Sequence, residues 1–207
     1  MGIYRGSNFS FYISPKTGGT TIRSWLVYSE TNTLELQNDG DGYLCQNYIG
    51  SQLITNMGYW YKGFKESDSP VKVCIKRDPV ERFLSCYTDK IVRENYINNF
   101  NVSIDELLDN WDCLKSGRED PLKPGTYYLE NHFLPQSYYI GDDKSYYDHV
   151  FDTREVGTTV KKFLEERLEC NLPELHTRKQ TQKPSLNKTQ IQKIQKIYEI
   201  DYQNGWY

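Results

Sequence analysis

Two short stretches of this chain carry residue types that could hold and activate an anion. The first is residues 15–22, PKTGGTTI. Lys16 offers a mobile positive charge, Gly18 and Gly19 let the backbone approach a ligand closely, and Thr20 and Thr21 add hydroxyl donors. Set between a strand and a helix, the stretch would also present the free N–H groups of a helix start, which favour negative charge. This is phosphate-cradle chemistry. It is not the nucleoside-triphosphate loop, because there the lysine follows the last glycine and here Lys16 precedes both. Taken alone, the residues equally fit an ordinary tight turn with a solvated lysine.

The second stretch is residues 77–87, RDPVERFLSCY. Arg77 falls at the C-terminal end of an expected strand, where open α/β sheets bind their ligands. Ser85 comes seven residues after Asp78, close to two helical turns, so both share one side of a helix. Arg77 and Ser85 could grip one phosphate together. The competing reading is a surface charge and a neutral helix position.

The elements that must position these residues follow from local pattern. Residues 8–13 (NFSFYI) read as a strand, residues 14–19 as a turn, and Ile22, Trp25 and Leu26 as the apolar stripe of a helix from Thr20. Residues 71–76 (VKVCIK) read as a second strand. The helix after it has an N-cap in Asp78, Pro79 in its first position and Glu81 three past the cap, and runs to about Val92. Further helices are expected over 103–114, 156–168 and 188–200, with a short strand at 149–151 and polar loops at 116–126 and 176–185. Strands followed by crossover helices argue for an α/β domain with a parallel sheet.

Composition bounds the rest. The chain has 207 residues, 26% charged and 37% hydrophobic, an ordinary globular balance that fits one domain over 1–207. A net charge of −3 argues against a broad nucleic-acid-binding face, so an anion must be held by a few local groups. Five scattered cysteines with no C-x-x-C pair read as free thiols of a reducing compartment. No apolar run reaches membrane-spanning length and no signal peptide stands at the N-terminus, so a cytoplasmic protein without a membrane anchor is expected.

In order, spacing and context, PKTGGTTI and RDPVERFLSCY together resemble the sulfotransferases that use 3′-phosphoadenosine 5′-phosphosulfate (PAPS), in particular the carbohydrate-sulfotransferase branch. Weaker echoes are NHFLPQ (131–136), YDHVF (147–151) and the tail YEIDYQNGWY (198–207). The resemblance implies a P-loop-NTPase-like sulfotransferase fold with a central parallel sheet flanked by helices. It implies PAPS as sulfuryl donor and a hydroxyl-bearing acceptor, carbohydrate favoured. Lys16, Thr17, Gly18, Gly19, Thr20 and Thr21 would bind the 5′-phosphosulfate, and Arg77 and Ser85 the 3′-phosphate. No metal is required, since a lysine and a helix start can stabilise the leaving group.

The acceptor hydroxyl needs a base. The segment between the two motifs holds no histidine, so the base used there by some relatives is missing. His132, in the H-x-x-P-Q echo, is the first candidate, its competing role being a structural histidine. Glu35, Asp39 and Asp41 are carboxylate rivals. His149 beside Asp148 reads as a strand-end packing residue, whereas His176, Arg178 and Lys179 could close over the nucleotide. Tyr59, Trp60 and Tyr61 could stack on a sugar or pack in the core. Two other functions stay open: a non-catalytic nucleotide-binding relative and a small ATP-dependent kinase.

Overall fold

The computed structural model describes residues 2–5, 8–32, 57–59, 64, 66–93, 102–111, 132–175 and 183–207. Among these, strands β1 (Gly2–Arg5), β2 (Ser10–Ile13), β3 (Met57–Tyr59), β4 (Lys72–Lys76) and β5 (His149–Asp152) form a sheet in the order β3-β1-β2-β4-β5. β2, β4 and β5 run parallel, with Ile13 opposite Ile75 and Ile75 opposite Phe151. That is the parallel core expected from the alternation of strands and helices. β1 and β3 extend it antiparallel, Ile3 lying opposite both Tyr12 and Gly58. Neither was expected, because Gly2 in β1 and Gly58 in β3 weaken the strand signal of these short runs.

The helices α1 (Gly19–Thr31), α2 (Pro79–Cys86), α3 (Ile104–Asp109), α4 (Ser137–Ile140), α5 (Lys161–Leu168), α6 (Lys188–Ile197) and α7 (Glu199–Gln203) pack around this sheet. Strand alternation divides the core. Phe11, Ile13, Val73 and Ile75 face Trp25, Leu26, Val160 and Leu164 on one side. Tyr12 and Cys74 face Tyr139, Tyr147 and Trp206 on the other. A third cluster joins Phe83 and Cys86 of α2 to Leu107 and Leu108 of α3 and to Ile194 and Tyr198.

Three expected helices differ in detail. The one expected to reach Val92 is α-helical to Cys86 and continues as a π-helical turn, Tyr87–Arg93. The one expected from Val156 begins as a π turn, Val156–Val160, before α5. The last one breaks at Tyr198, which leaves helical geometry (φ −101, ψ 22) while its hydroxyl donates to the Phe133 carbonyl at 2.7 Å. Burial of that ring outweighs local helix propensity. Among the described residues no helix is long and apolar enough to cross a membrane.

Candidate active site

Strand β2 ends at Ile13, and the chain turns through residues 14–18 into α1 at the C-terminal edge of the parallel strands. The turn is tightly determined. Lys16 has φ 64, a left-handed conformation that costs a non-glycine residue about 1 kcal/mol or more. Thr17 is fully buried and its hydroxyl donates to the Ser14 carbonyl at 2.8 Å, closing the turn. Its side chain therefore shapes the loop from within. Gly18 caps α1 with φ 85, and a Cβ there would lie 2.9 Å from Val156 Cγ2. A Cβ on Gly19 would lie 2.9 Å from Ile13 Cγ2. Both glycines are thus required by close packing as well as by any ligand.

No side chain caps α1, and its first turn holds no acidic residue. Its leading N–H groups, together with the half-exposed Thr21 and exposed Thr20, form an electropositive mouth. The hydroxyl of Ser14, which opens the turn, is buried and without a hydrogen-bond partner among the described residues. The Lys16 ammonium reaches Asp89 Oδ2 at 2.7 Å. Asp89 also pairs with Arg93 and lies 3.7 Å from Lys90. Burial pushes the Asp89 carboxyl up, but Lys16, Lys90 and Arg93 outweigh it and hold the group below the usual carboxylate value.

Arg77 follows β4 and brings the second motif to the first. Its Nη1 donates to the Lys16 carbonyl at 2.8 Å. Its Nε lies 3.7 Å from the Glu81 carboxylate and is buried without a hydrogen-bond partner. Burial pulls the guanidinium below its ordinary value, Glu81 opposing this. Asp78 caps α2 as expected, accepting from the Glu81 N–H at 2.9 Å. Ser85 lies half-buried farther along α2, one turn before Asp89. Lys183 stands in the same field: partial desolvation, then the nearby Arg77 and Lys16 charges, draw its ammonium down.

Two of the weaker sequence echoes, the segments around Gln136 and Asp201, form a brace. Gln136 accepts from the Arg77 N–H at 3.1 Å and donates to the Arg77 carbonyl at 2.9 Å. Buried Asp201 accepts from the Gln136 and Ser137 N–H groups at 3.0 and 2.9 Å. The His132 carbonyl accepts from Arg82 Nη1 at 3.2 Å and from Cys86 Sγ at 3.0 Å, so its main chain is pinned to α2 beside Ser85. Arg82 also donates to Leu134 O and lies over the Tyr198 ring.

Other candidates fall elsewhere. The His149 ring stacks on Phe151 and leans on Phe163, a packing role at the sheet edge. Tyr59 belongs to β3. Trp60, Tyr61, Glu35, Asp39, Asp41, His176, Arg178 and Lys179 lie outside the described residues. Asp89, Ser14 and Lys183 were missed by sequence reasoning. The signal for Asp89 was available: an acid one turn past Ser85 and four residues before Arg93 is a helical ion-pair pattern.

A family model described as the sulfotransferase family matches residues 8–204. No curated protein and no solved structure matches the chain.

Proposed function

The chain belongs to the sulfotransferase family, and on that footing we propose that it transfers a sulfuryl group from PAPS to an acceptor hydroxyl, with a carbohydrate as the favoured acceptor. The observation that carries this reading is the bond from Arg77 Nη1 to the Lys16 carbonyl. It draws a 3′-phosphate-type cation and a phosphosulfate-type turn into one cradle. The residues also fit a nucleotide with two separate anionic groups in other respects. The uncapped start of α1 and the buried Ser14 hydroxyl lack, among the described residues, the partner that an anion's oxygens would supply, and Arg77 Nε is buried without a hydrogen bond, with the Glu81 carboxylate 3.7 Å away.

When bound, the donor supplies the electrophilic sulfuryl group and a phosphate leaving group. The work of the chain is positioning and charge stabilisation. Lys16 neutralises charge developing on the leaving oxygen, helped by the N–H groups of Gly19 to Thr21. Thr17, Gly18 and Gly19 fix the turn against β2 and Val156. Arg77 and Ser85 take the 3′-phosphate, with Lys183 adding to the positive field. His132 accepts the acceptor's proton. A reducing, cytoplasmic setting is part of the proposal and rests on the sequence, with five scattered cysteines and no C-x-x-C pair.

The test is transfer itself. The purified protein is incubated with PAPS and a panel of sugars, tyrosyl peptides, lipids and small alcohols, and products are weighed by mass spectrometry. Sulfated sugar is expected, with His132→Ala losing turnover about a hundredfold while still binding nucleotide. Phosphorylated product with ATP and none with PAPS would overturn the reading.

A further inference from the structure

The Lys16 ammonium does not reach out into the cradle; it is tied to a carboxylate on the neighbouring helical segment. Its Nζ lies 2.7 Å from Asp89 Oδ2, with both side chains largely enclosed at 23% and 14% exposure. The pair is lopsided. Asp89 has two further cations, Arg93 one helical turn ahead and Lys90 at 3.7 Å. If Lys16 left, the carboxylate would keep its counter-charge. Meanwhile the Lys16 backbone is locked, with φ 64 and its carbonyl held by Arg77 at 2.8 Å. What can move is the side chain alone.

We propose that Asp89 is a holding site for Lys16: it parks the ammonium when the nucleotide is absent and competes with the nucleotide's phosphate oxygens for it. The proposal rests on the sulfotransferase reading of the cradle. Asp89 acts through Lys16 and is a positioning residue. The charge needed by the reaction is kept ordered beside its place of use, and it is released only to a ligand that offers more negative charge than a carboxylate already shared among three cations. Arg93 and Lys90 make that exchange inexpensive, because the carboxylate is never left bare in a partly desolvated site.

A double-mutant cycle on nucleotide affinity tests this. Calorimetry with 3′-phosphoadenosine 5′-phosphate is run on wild type, Asp89→Asn, Lys16→Ala and the double variant. Asp89→Asn should bind about two- to fivefold more tightly than wild type, the range of one partly exposed ion pair. In the Lys16→Ala background the same change should gain almost nothing. Equal or weaker binding by Asp89→Asn overturns the proposal. So does a gain that persists undiminished without Lys16, which would be general relief of negative charge. Should Asp89→Asn fail to fold, side-chain nitrogen NMR of the wild-type protein decides. Saturating nucleotide should shift the Lys16 ammonium signal, identified by its loss in Lys16→Ala, and leave Arg93 in place; an unmoved Lys16 signal in the complex is the contrary result. Wild type that binds no nucleotide removes the functional reading and this one together, whereas binding with a flat cycle removes this one alone.

Discussion

Gln136 grips Arg77 with both ends of its side-chain amide, accepting from the Arg77 N–H at 3.1 Å and donating to the Arg77 carbonyl at 2.9 Å. Gln136 is in turn held by Asp201 through its own N–H, and Arg77 holds the Lys16 carbonyl. A chain of hydrogen bonds thus runs from the C-terminal helix α7 through the residue that opens the second motif to the turn that carries the first. Sites built this way are precise because the supporting residues are themselves fixed.

Arg77 and Ser85 should therefore fail differently. Ser85→Ala should weaken a 3′-phosphorylated nucleotide and leave adenosine 5′-phosphosulfate, which lacks that phosphate, almost unaffected. Arg77→Ala removes both the proposed 3′-phosphate contact and the prop of the Lys16 turn. It should cost about ten- to a hundredfold for the 3′-phosphorylated ligand and a smaller but measurable amount for the other. Titration calorimetry with the two nucleotides separates them, and equal losses for both ligands in both variants would make the second motif purely structural.

Gly18→Ala should cost stability as well as binding. It forces a side chain into φ 85 and sets a Cβ 2.9 Å from Val156 Cγ2. Left-handed strain and the clash together predict a loss of roughly 2–4 kcal/mol. Val156→Ala opens that space, so the double variant should regain part of the loss that Gly18→Ala alone incurs. Chemical denaturation of the four proteins measures this; strictly additive losses would deny the contact.

Much of this arrangement could be read locally. The Gly-Gly turn after a strand and the Asp78 cap with Pro79 behind it follow from residues within a few positions of one another, and the alternation of strands and helices pointed to a parallel sheet without naming which strands pair. What escaped was non-local. Lys16 and Asp89 meet across 73 positions, and Arg77 and Gln136 across 59. No spacing rule links such residues, since the sheet and the packing of α2 bring them together. The π turn Tyr87–Arg93 is a further case, because the apolar stripe that marks α2 gives no sign of the change in winding. Within the H-x-x-P-Q echo, the Gln136 side chain and the His132 carbonyl make brace contacts that the sequence reading did not foresee.

Acid should weaken the ligand-free protein through Asp89. Lys16, Lys90 and Arg93 together hold its folded-state pKa below the ordinary 3.8 against the push of burial. The unfolded chain therefore binds the proton first. The contribution is fully present above 3.8 and is lost as pH falls through the depressed folded value. Asp152, held low chiefly by its hydrogen bond to Arg154, titrates in the same sense. Denaturant unfolding from neutral pH to about pH 3 should show stability falling on the acid side, with a shallower fall in Asp89→Asn. An identical acid limb in the variant would mean that the cluster is not coupled to folding.

The central claim is that the turn carrying Lys16 and the helix mouth at Arg77 form one cradle for a 3′-phosphorylated adenine nucleotide. The most direct measurement is calorimetric titration of wild type with 3′-phosphoadenosine 5′-phosphate, with ATP as the competitor, alongside turnover of PAPS by wild type and Lys16→Ala. The account predicts that wild type binds the 3′-phosphorylated nucleotide at least about tenfold more tightly than ATP, and that Lys16→Ala folds normally yet loses turnover. ATP binding as tightly as 3′-phosphoadenosine 5′-phosphate, or turnover by Lys16→Ala within a few-fold of wild type, would contradict it.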